Sequence, residues 1–358
     1  MSEEVLFSVN SNGVATIILN RPKALNSLSH KMVLTIGEKL KKWKADDKVS
    51  VVILKGAGTK GLCAGGDIKT LYEARSSRTA MQEAERFFED EYEVDMEIYL
   101  YPKPIIACLD GIVMGGGVGL TYGASHRIVT ERTKWSMPEM NIGFFPDVGG
   151  AYFLNKAPGY IGRYLALTAS VIKAPDVLYM KGADIYMNSE TMCNFLEKVE
   201  NMDWTDGEVE EKLNYLINKY EAQPSEESRL ALLQKEIDEH FCFKTIEEIL
   251  DSLESQENDF CRNTKEILLS KSPFSLKVTL QQLLEGKQKT MKECFATDLF
   301  LAKNFLRHND FYEGIRSLLI DKDQLPNYEY KRVSDVTDEI VNTFCRSQTI
   351  IYNLSKTE

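Results

Sequence analysis

Two glycine-rich turns are the segments of this 358-residue chain whose residue types and spacing most directly suggest chemistry. MGGGVGL (114–120) follows the apolar run PIIACL (104–109) and Asp110-Gly111. Three successive glycines there would leave bare backbone N–H groups at the start of a helix, a place that favours a developing negative charge. CAGGDI (63–68) follows the apolar run SVVIL (50–54) and the loop GAGTKG (56–61), and its Ala64, Gly65 and Gly66 again leave N–H groups accessible. Each segment could simply be a tight turn. Brought together at one end of a sheet, the two would make a two-donor oxyanion hole.

Three carboxylates accompany them. Glu139 and Asp147 stand eight apart in the Gly- and Pro-rich loop SMPEMNIGFFPDVGG (136–150). Near an oxyanion hole they could divide acid, base and nucleophile roles. Otherwise Asp147 would be a helix N-cap and Glu139 a solvated loop residue. Glu91 falls inside the helical stripe Ala84, Phe87, Val94, Ile98, so it is either buried with a partner or turned to the rim of a pocket. Its neighbours Glu89, Asp90, Glu93, Asp95 and Glu97 read as a solvated acidic face.

Other chemistries lack their motifs. There is no G-x-S-x-G elbow and no phosphate loop, and the glycines at 115–119 do not fit the dinucleotide fingerprint. Four dispersed His and seven scattered Cys without a CxxC pair argue against a metal site or a disulfide framework, and for a reducing compartment. His126 lies in a strand pattern and reads as structural. A net charge of −11, with no clustering of Trp43, Trp135 and Trp204, opposes nucleic acid as a partner. No apolar run is long enough to span a bilayer, and the acidic start MSEEVLF has no targeting character, so a cytoplasmic protein is expected.

The elements that must position these residues alternate at first. VLFSV (5–9), Asn12-Gly13 and VATIIL (14–19) predict a hairpin with a two-residue turn. Residues 30–44 and 79–100 predict helices, and SVVIL, PIIACL and HRIVT (126–130) predict strands, the first two covered on both faces. This is an α/β pattern. From about residue 200 amphipathic helices dominate, with NMDWTDGEVEEK (201–212) as a junction. Pro224-Ser225 is expected to start a helix, Thr245 and Glu248 to form a capping box, and Gly286 to be a C-cap. The expected division is an α/β core over 1–200 and a helical region over 201–358.

Taken together, NRPKALNSLS (20–29), CAGGDI, LDGIVMGGGVGL (109–120) and MPEMNIGFFPDVGG (137–150) resemble the crotonase (enoyl-CoA hydratase/isomerase) superfamily. FPDVGG (145–150), FEDEY (88–92) and DFYEGIRSLLIDKDQLP (310–326) look most like its 3-hydroxyisobutyryl-CoA hydrolase branch. The resemblance implies a spiral of ββα units with a helical C-terminal region, and a coenzyme A thioester as ligand. It implies that N–H groups of Ala64, or its neighbour Gly65, and of Gly116 bind the thioester oxygen. It places Lys23, Ala24 and Leu25 along the coenzyme A path, and Glu91, Gly116, Glu139 and Asp147 at the substrate. Met140, Asn141 and Phe144 would line the acyl pocket.

Hydratases of this superfamily use two glutamates. One matches Glu139; the other falls on Gly119, which has no carboxylate. The resemblance therefore implies hydrolysis of a short 3-hydroxyacyl-CoA, 3-hydroxyisobutyryl-CoA of valine catabolism above all, with Asp147 as the second acid. No cofactor beyond the substrate's own coenzyme A is expected. An isomerase, a hydratase and a non-catalytic coenzyme A-binding protein are the alternatives. The superfamily's habit of forming trimers leaves a homo-oligomer open. Whether burial raises the Asp147 pKa more than a helix N-terminus lowers it is a contest the sequence leaves undecided.

Overall fold

The computed structural model describes residues 3–205 and 207–346. A six-stranded sheet runs in the order β1 (Val5–Val9), β2 (Val14–Leu19), β3 (Val51–Gly56), β5 (Ile105–Leu109), β7 (His126–Val129) and β9 (Ile185–Tyr186). Only the β1–β2 pair is antiparallel. A second, parallel sheet holds β4 (Gly61–Cys63), β6 (Ile112–Met114) and β8 (Lys134–Ser136). Each coil of the chain thus lays a strand in the large sheet and then one in the small sheet, which makes a spiral of ββα units.

Glycines make the corners possible. Gly111 joins β5 to β6 at φ +73°, and a Cβ there would lie 2.5 Å from the Lys60 carbonyl oxygen. A Cβ at Gly61 would overlap the Ile112 backbone. Backbone bonds tie the coils together at this edge: Ile112 N–H donates to Lys60 C=O (3.1 Å) and Lys134 N–H to Gly111 C=O (2.8 Å).

The continuous apolar strands are covered on both faces, as their lack of alternation predicts. Val52, Leu54, Ile105, Ala107 and Leu109 enter the main core, together with the buried stripe of the His30–Lys44 helix. Val51, Ile53, Ile106 and Cys108 enter a second core, covered by Phe195 and Val199 of the Ser189–Asn201 helix and Leu213 and Leu216 of the Val209–Tyr220 helix. Between those helices Trp204 is fully buried; its backbone N–H donates to Asn12 C=O (3.0 Å) and its indole N–H to Val199 C=O (2.7 Å).

The later helices fold back onto the Arg78–Tyr99 helix and the 139–150 loop. Lys303 pairs with Glu89 (2.5 Å) and Arg307 with Glu85. Close backbone approach again requires glycine: a Cβ at Gly143 would overlap the Asp310 carbonyl, one at Gly314 the Ile142 backbone, and one at Gly286 would lie 2.6 Å from the Ala151 methyl.

Some local expectations are corrected. Asn10 N–H bonds to Val14 C=O, so the hairpin turn holds three residues, Ser11 to Gly13, with only Gly13 at positive φ. The Asn10 side chain stabilises it by accepting from the Asn12 and Val14 N–H groups. Pro224-Ser225 does not open a helix; the next one, Arg229–Leu232, is capped by Ser228. Gly286 ends the Pro273–Gly286 helix as its last helical residue, and serves close packing rather than a left-handed cap. The capping box of Thr245 and Glu248 forms as expected.

The corner packing has a measurable consequence. Gly111→Ala is expected to lower the unfolding free energy by about 2–4 kcal/mol. Gly207→Ala, at φ +90° with nothing within 4 Å of the new methyl, should lose only about 1 kcal/mol. Urea unfolding of the two variants side by side measures the difference; equal losses would mean that the corner is not closely packed.

Candidate active site

The two glycine turns converge. An ideal Cβ on Gly65 (φ +104°) would lie 3.3 Å from Met114 C=O and 3.6 Å from Gly116 N, so the backbones of 65 and 116 are neighbours. Gly116 opens the Gly116–Tyr122 helix, where its N–H has no intrahelical acceptor. On the other turn, Ala64 N–H donates to Leu25 C=O (3.1 Å), and Gly65 N–H reaches only the weakly accepting Cys63 Sγ (3.4 Å).

Leu25 comes to this place through two successive left-handed residues, Leu25 (φ 51°) and Asn26 (φ 56°). The buried Asn26 amide makes that turn stable, donating to Ala57 and Gly61 C=O (3.0 Å each) and accepting from Arg21 N–H (2.9 Å). Lys23 and Ala24 lie exposed in the preceding 3-10 turn Pro22–Ala24.

The carboxylates meet the glycine helix from two sides. Glu91 and Asp95, one turn apart on the Arg78–Tyr99 helix, occupy the spaces that side chains at Gly116 and Gly119 would fill. Glu139, in the 3-10 turn Glu139–Ile142, brings Oε1 within 2.8 Å of an ideal Cβ on Gly115. Asp147 accepts the Tyr92 hydroxyl at Oδ2 (2.6 Å). All four carboxyls are buried, and Glu91 Oε1, both Asp95 oxygens and Glu139 Oε2 have no hydrogen-bond partner among the described residues.

Burial, reinforced by mutual repulsion, drives the Glu91, Asp95 and Glu139 pKa values well above the ordinary carboxylate range. Asp147 is pushed up to about 6 by burial, against the Tyr92 hydroxyl and a backbone hydrogen bond that lower it. The helix that follows, Gly150–Leu154, is capped by Gly149, so Asp147 is not its N-cap. Two adjacent buried carboxyls do not ionise together readily. Burial and their mutual repulsion thus favour a Glu139–Asp147 pair that retains one proton, with one base and one acid to offer.

Sequence reasoning placed Glu91 correctly in the apolar face but assigned Asp95 to the solvated one. Asp95 is 1% exposed. Its neighbours do point outward, Asp90 to His30 (2.6 Å), Glu93 to Lys41 (2.7 Å) and Glu97 to Lys44 (3.1 Å). Tyr92 was missed as well. So were Asp298 and Gln282 on later helices, which bond to the Asp147 loop. The signal that singled out Glu91 was available for Asp298, which lies at helical spacing from Cys294, Phe295, Leu301 and Phe305. Of the expected acyl-pocket residues, Phe144 is buried among Phe88, Phe145, Phe305 and Phe311. Met140 is buried too, and Asn141 accepts Lys271 Nζ (2.6 Å).

The raised Asp147 pKa fixes the sign of a stability effect. Folded Asp147 keeps its proton to about pH 6, whereas the unfolded chain releases it near 4. Below pH 4 the group is protonated in both states; between pH 4 and 6 the unfolded chain ionises while the folded group keeps its proton, so stability falls over that window and levels off as the pH rises through 6. Asp147→Asn is therefore expected to match the parent at pH 4 and to gain about 2–3 kcal/mol over it by pH 7. Urea unfolding at pH 4, 5, 6 and 7 measures the gap, and a gap independent of pH would contradict the raised value.

Known proteins resemble this chain along nearly its whole length. The profile of a family described as enoyl-CoA hydratase/isomerase matches residues 14–345. A rat protein named 3-hydroxyisobutyryl-CoA hydrolase, mitochondrial, is 38% identical over 334 residues, 92% of this chain and 86% of the rat protein. The human protein of that name is 37% identical over 350 residues, 97% of this chain and 89% of its own length. Among solved structures, a carnitinyl-CoA dehydratase from Mycobacterium thermoresistibile superposes with a TM-score of 0.88 at 35% identity, over 96% of this chain and 97% of that one. An enoyl-CoA hydratase from Rhodobacter sphaeroides follows at 0.85 and 32%, with the same coverage. The spiral, the converging glycine turns and these matches along nearly the whole chain have one explanation: the chain belongs to the enoyl-CoA hydratase/isomerase, or crotonase, family.

Proposed function

We propose that this protein hydrolyses the thioester of a short 3-hydroxyacyl-CoA, foremost 3-hydroxyisobutyryl-CoA, to the hydroxy acid and coenzyme A, a step of valine catabolism. The observation that carries this reading is the burial of Glu139 against Gly115, beside the point where the Gly65 and Gly116 backbones meet, with Asp147 buried on the Tyr92 hydroxyl. The names of the rat and human relatives support it.

In this reading the thioester oxygen lies between Gly116 N–H and Gly65 N–H, because the Ala64 N–H expected for this role already serves Leu25 C=O. Losing such a donor typically lowers the rate on the order of 10²–10³-fold. Asp147, ionised near neutrality, first takes the pair's proton from Glu139; Glu139, as carboxylate, then attacks the thioester carbon, the carbon–sulfur bond breaks and Asp147 gives that proton to the leaving sulfur. Water then opens the mixed anhydride, releasing the hydroxy acid and regenerating the Glu139 carboxylate, and its proton returns to Asp147. Glu91 holds the polar acyl group, and Lys23, Ala24 and Leu25 flank the coenzyme A. No separate cofactor takes part. The seven free thiols suit a reducing compartment, for which the cytosol is our reading.

The runner-up is hydration of an enoyl-CoA, the activity named for the Rhodobacter relative. The surroundings of Gly119 weigh against it. The space a side chain would need there is taken by Asp95 and by Val148 Cβ, 2.7 Å from an ideal Cβ, so a second glutamate has no room.

A free-thiol assay with 3-hydroxyisobutyryl-CoA, run beside crotonyl-CoA, tests the reading. Thiol release is expected from the first substrate only, and Glu139→Gln should reduce it on the order of 10³-fold. Consumption of crotonyl-CoA without thiol would overturn the hydrolase assignment and leave the family intact. The shared proton also predicts a bell-shaped profile. The rate constant kcat/KM should rise through about pH 6 as the carboxyl pair loses its first proton, and fall at higher pH as it loses the second. Asp147→Asn should leave a single limb, and a parent profile with one limb would rule out the shared proton.

A further inference from the structure

We infer that Asp298 and Gln282, two residues of the helical C-terminal region, are positioning residues that hold Asp147 in its reactive place; the inference rests on the function proposed for Asp147. The backbone after Asp147 is strained. Val148, a β-branched residue, sits at φ 49°, and Gly149 follows at φ 80°. A non-glycine residue in the left-handed region costs on the order of 1–3 kcal/mol and persists only where its surroundings over-determine it. Val148 is 1% exposed and lodged in the notch left by Gly119, with its Cβ 2.7 Å from the ideal Cβ there.

The determinants on either side of the turn come from two helices more than a hundred residues away. Asp298 Oδ2, on the Met291–Phe305 helix, accepts Gly149 N–H (2.8 Å). Gln282 Nε2, on the Pro273–Gly286 helix, donates to Pro146 C=O (3.0 Å) and to Asp298 Oδ1 (2.7 Å). The clamp therefore grips the chain one residue before Asp147 and two residues after it. A side chain at Gly149 (φ +80°) would be strained and would displace Met291, whose Sδ lies 2.7 Å from an ideal Cβ there. With the loop gripped and the Tyr92 hydroxyl on its carboxylate, Asp147 has little freedom left.

Asp298 is fully buried, and burial, with the nearby Asp147 carboxyl, pushes its pKa up to about 8 against the lowering effect of the Gly149 and Gln282 hydrogen bonds and of Lys289. A hydrophobic residue would be the more stable choice at such a site. The carboxyl makes sense as an acceptor that the strained turn requires.

The test is a double-mutant cycle on the full-length enzyme, read as thiol release. Asp298→Ala is expected to lower kcat about 30–100-fold while KM stays within about threefold, since a misplacement of about an ångström can cost that much. Asp298→Asn, which keeps an oxygen for Gly149 N–H, should restore the rate to within about fivefold of the parent. In an Asp147→Asn background, Asp298→Ala should change kcat less than about threefold. If it lowers that background by the full factor, Asp298 acts on structure in general and the inference falls. If Asp147→Asn alone retains the parental rate, the role of Asp147 itself falls, which is a separate outcome. Gln282→Met, which keeps the shape and removes both donor bonds, goes through the same cycle should Asp298→Ala not fold, with circular dichroism as the check.

Discussion

Four carboxyl groups, Glu91, Asp95, Glu139 and Asp147, are buried together with no cation paired to them among the described residues, and much of the fold is arranged around the space they need. Such a cluster is unfavourable in any interior unless protons are retained and the walls come close without clashing. The glycines at 115, 116 and 119 meet the second condition, because each lacks the side chain that would collide with one of those carboxyls. The same absence leaves the N–H groups at the helix start bare. One run of glycines thus makes both the electropositive backbone and the cavity for the acids, and this explains why no larger residue could serve at these positions.

The rest of the molecule supplies rigidity to that meeting point. The spiral's corners stack backbone on backbone and fix the height at which the two turns converge. The Arg78–Tyr99 helix presents Glu91, Tyr92 and Asp95 from one side, and surface ion pairs along its outer face orient it without adding much stability. The C-terminal helices close the other side, packing an aromatic cluster of Phe144, Phe145, Phe305 and Phe311 beneath the loop that carries Glu139 and Asp147.

Much of this was legible in the residues. The strands announced themselves as unbroken apolar runs, the helices by their spacing, and the glycine turns by composition. Glu91 stood out as a charge in an apolar stripe. What stayed hidden has a common cause: periodicity tells which side of a helix is buried but not what it faces. Asp95 looked like one of a row of surface acids because the notch at Gly119 that receives it lies on another helix. Asp298 and Gln282 gain meaning only when the 146–149 turn folds against them. The Asn12-Gly13 pair promised a shorter hairpin than forms, because the Asn10 side chain makes its own bonds to the turn.

The pin at Trp204 bears on the order in which the chain takes shape during synthesis. The turn of the first hairpin is complete only when Asn12 C=O receives the Trp204 N–H and the Asn10 and Asn12 side chains reach Glu200 C=O. Residues 10–12 must therefore wait for a segment made nearly two hundred residues later. Contacts this distant in sequence close slowly. The emerging N-terminal strands will leave the ribosome with one apolar face bare, and need either rapid burial of the other face or a chaperone's shelter until residue 204 arrives.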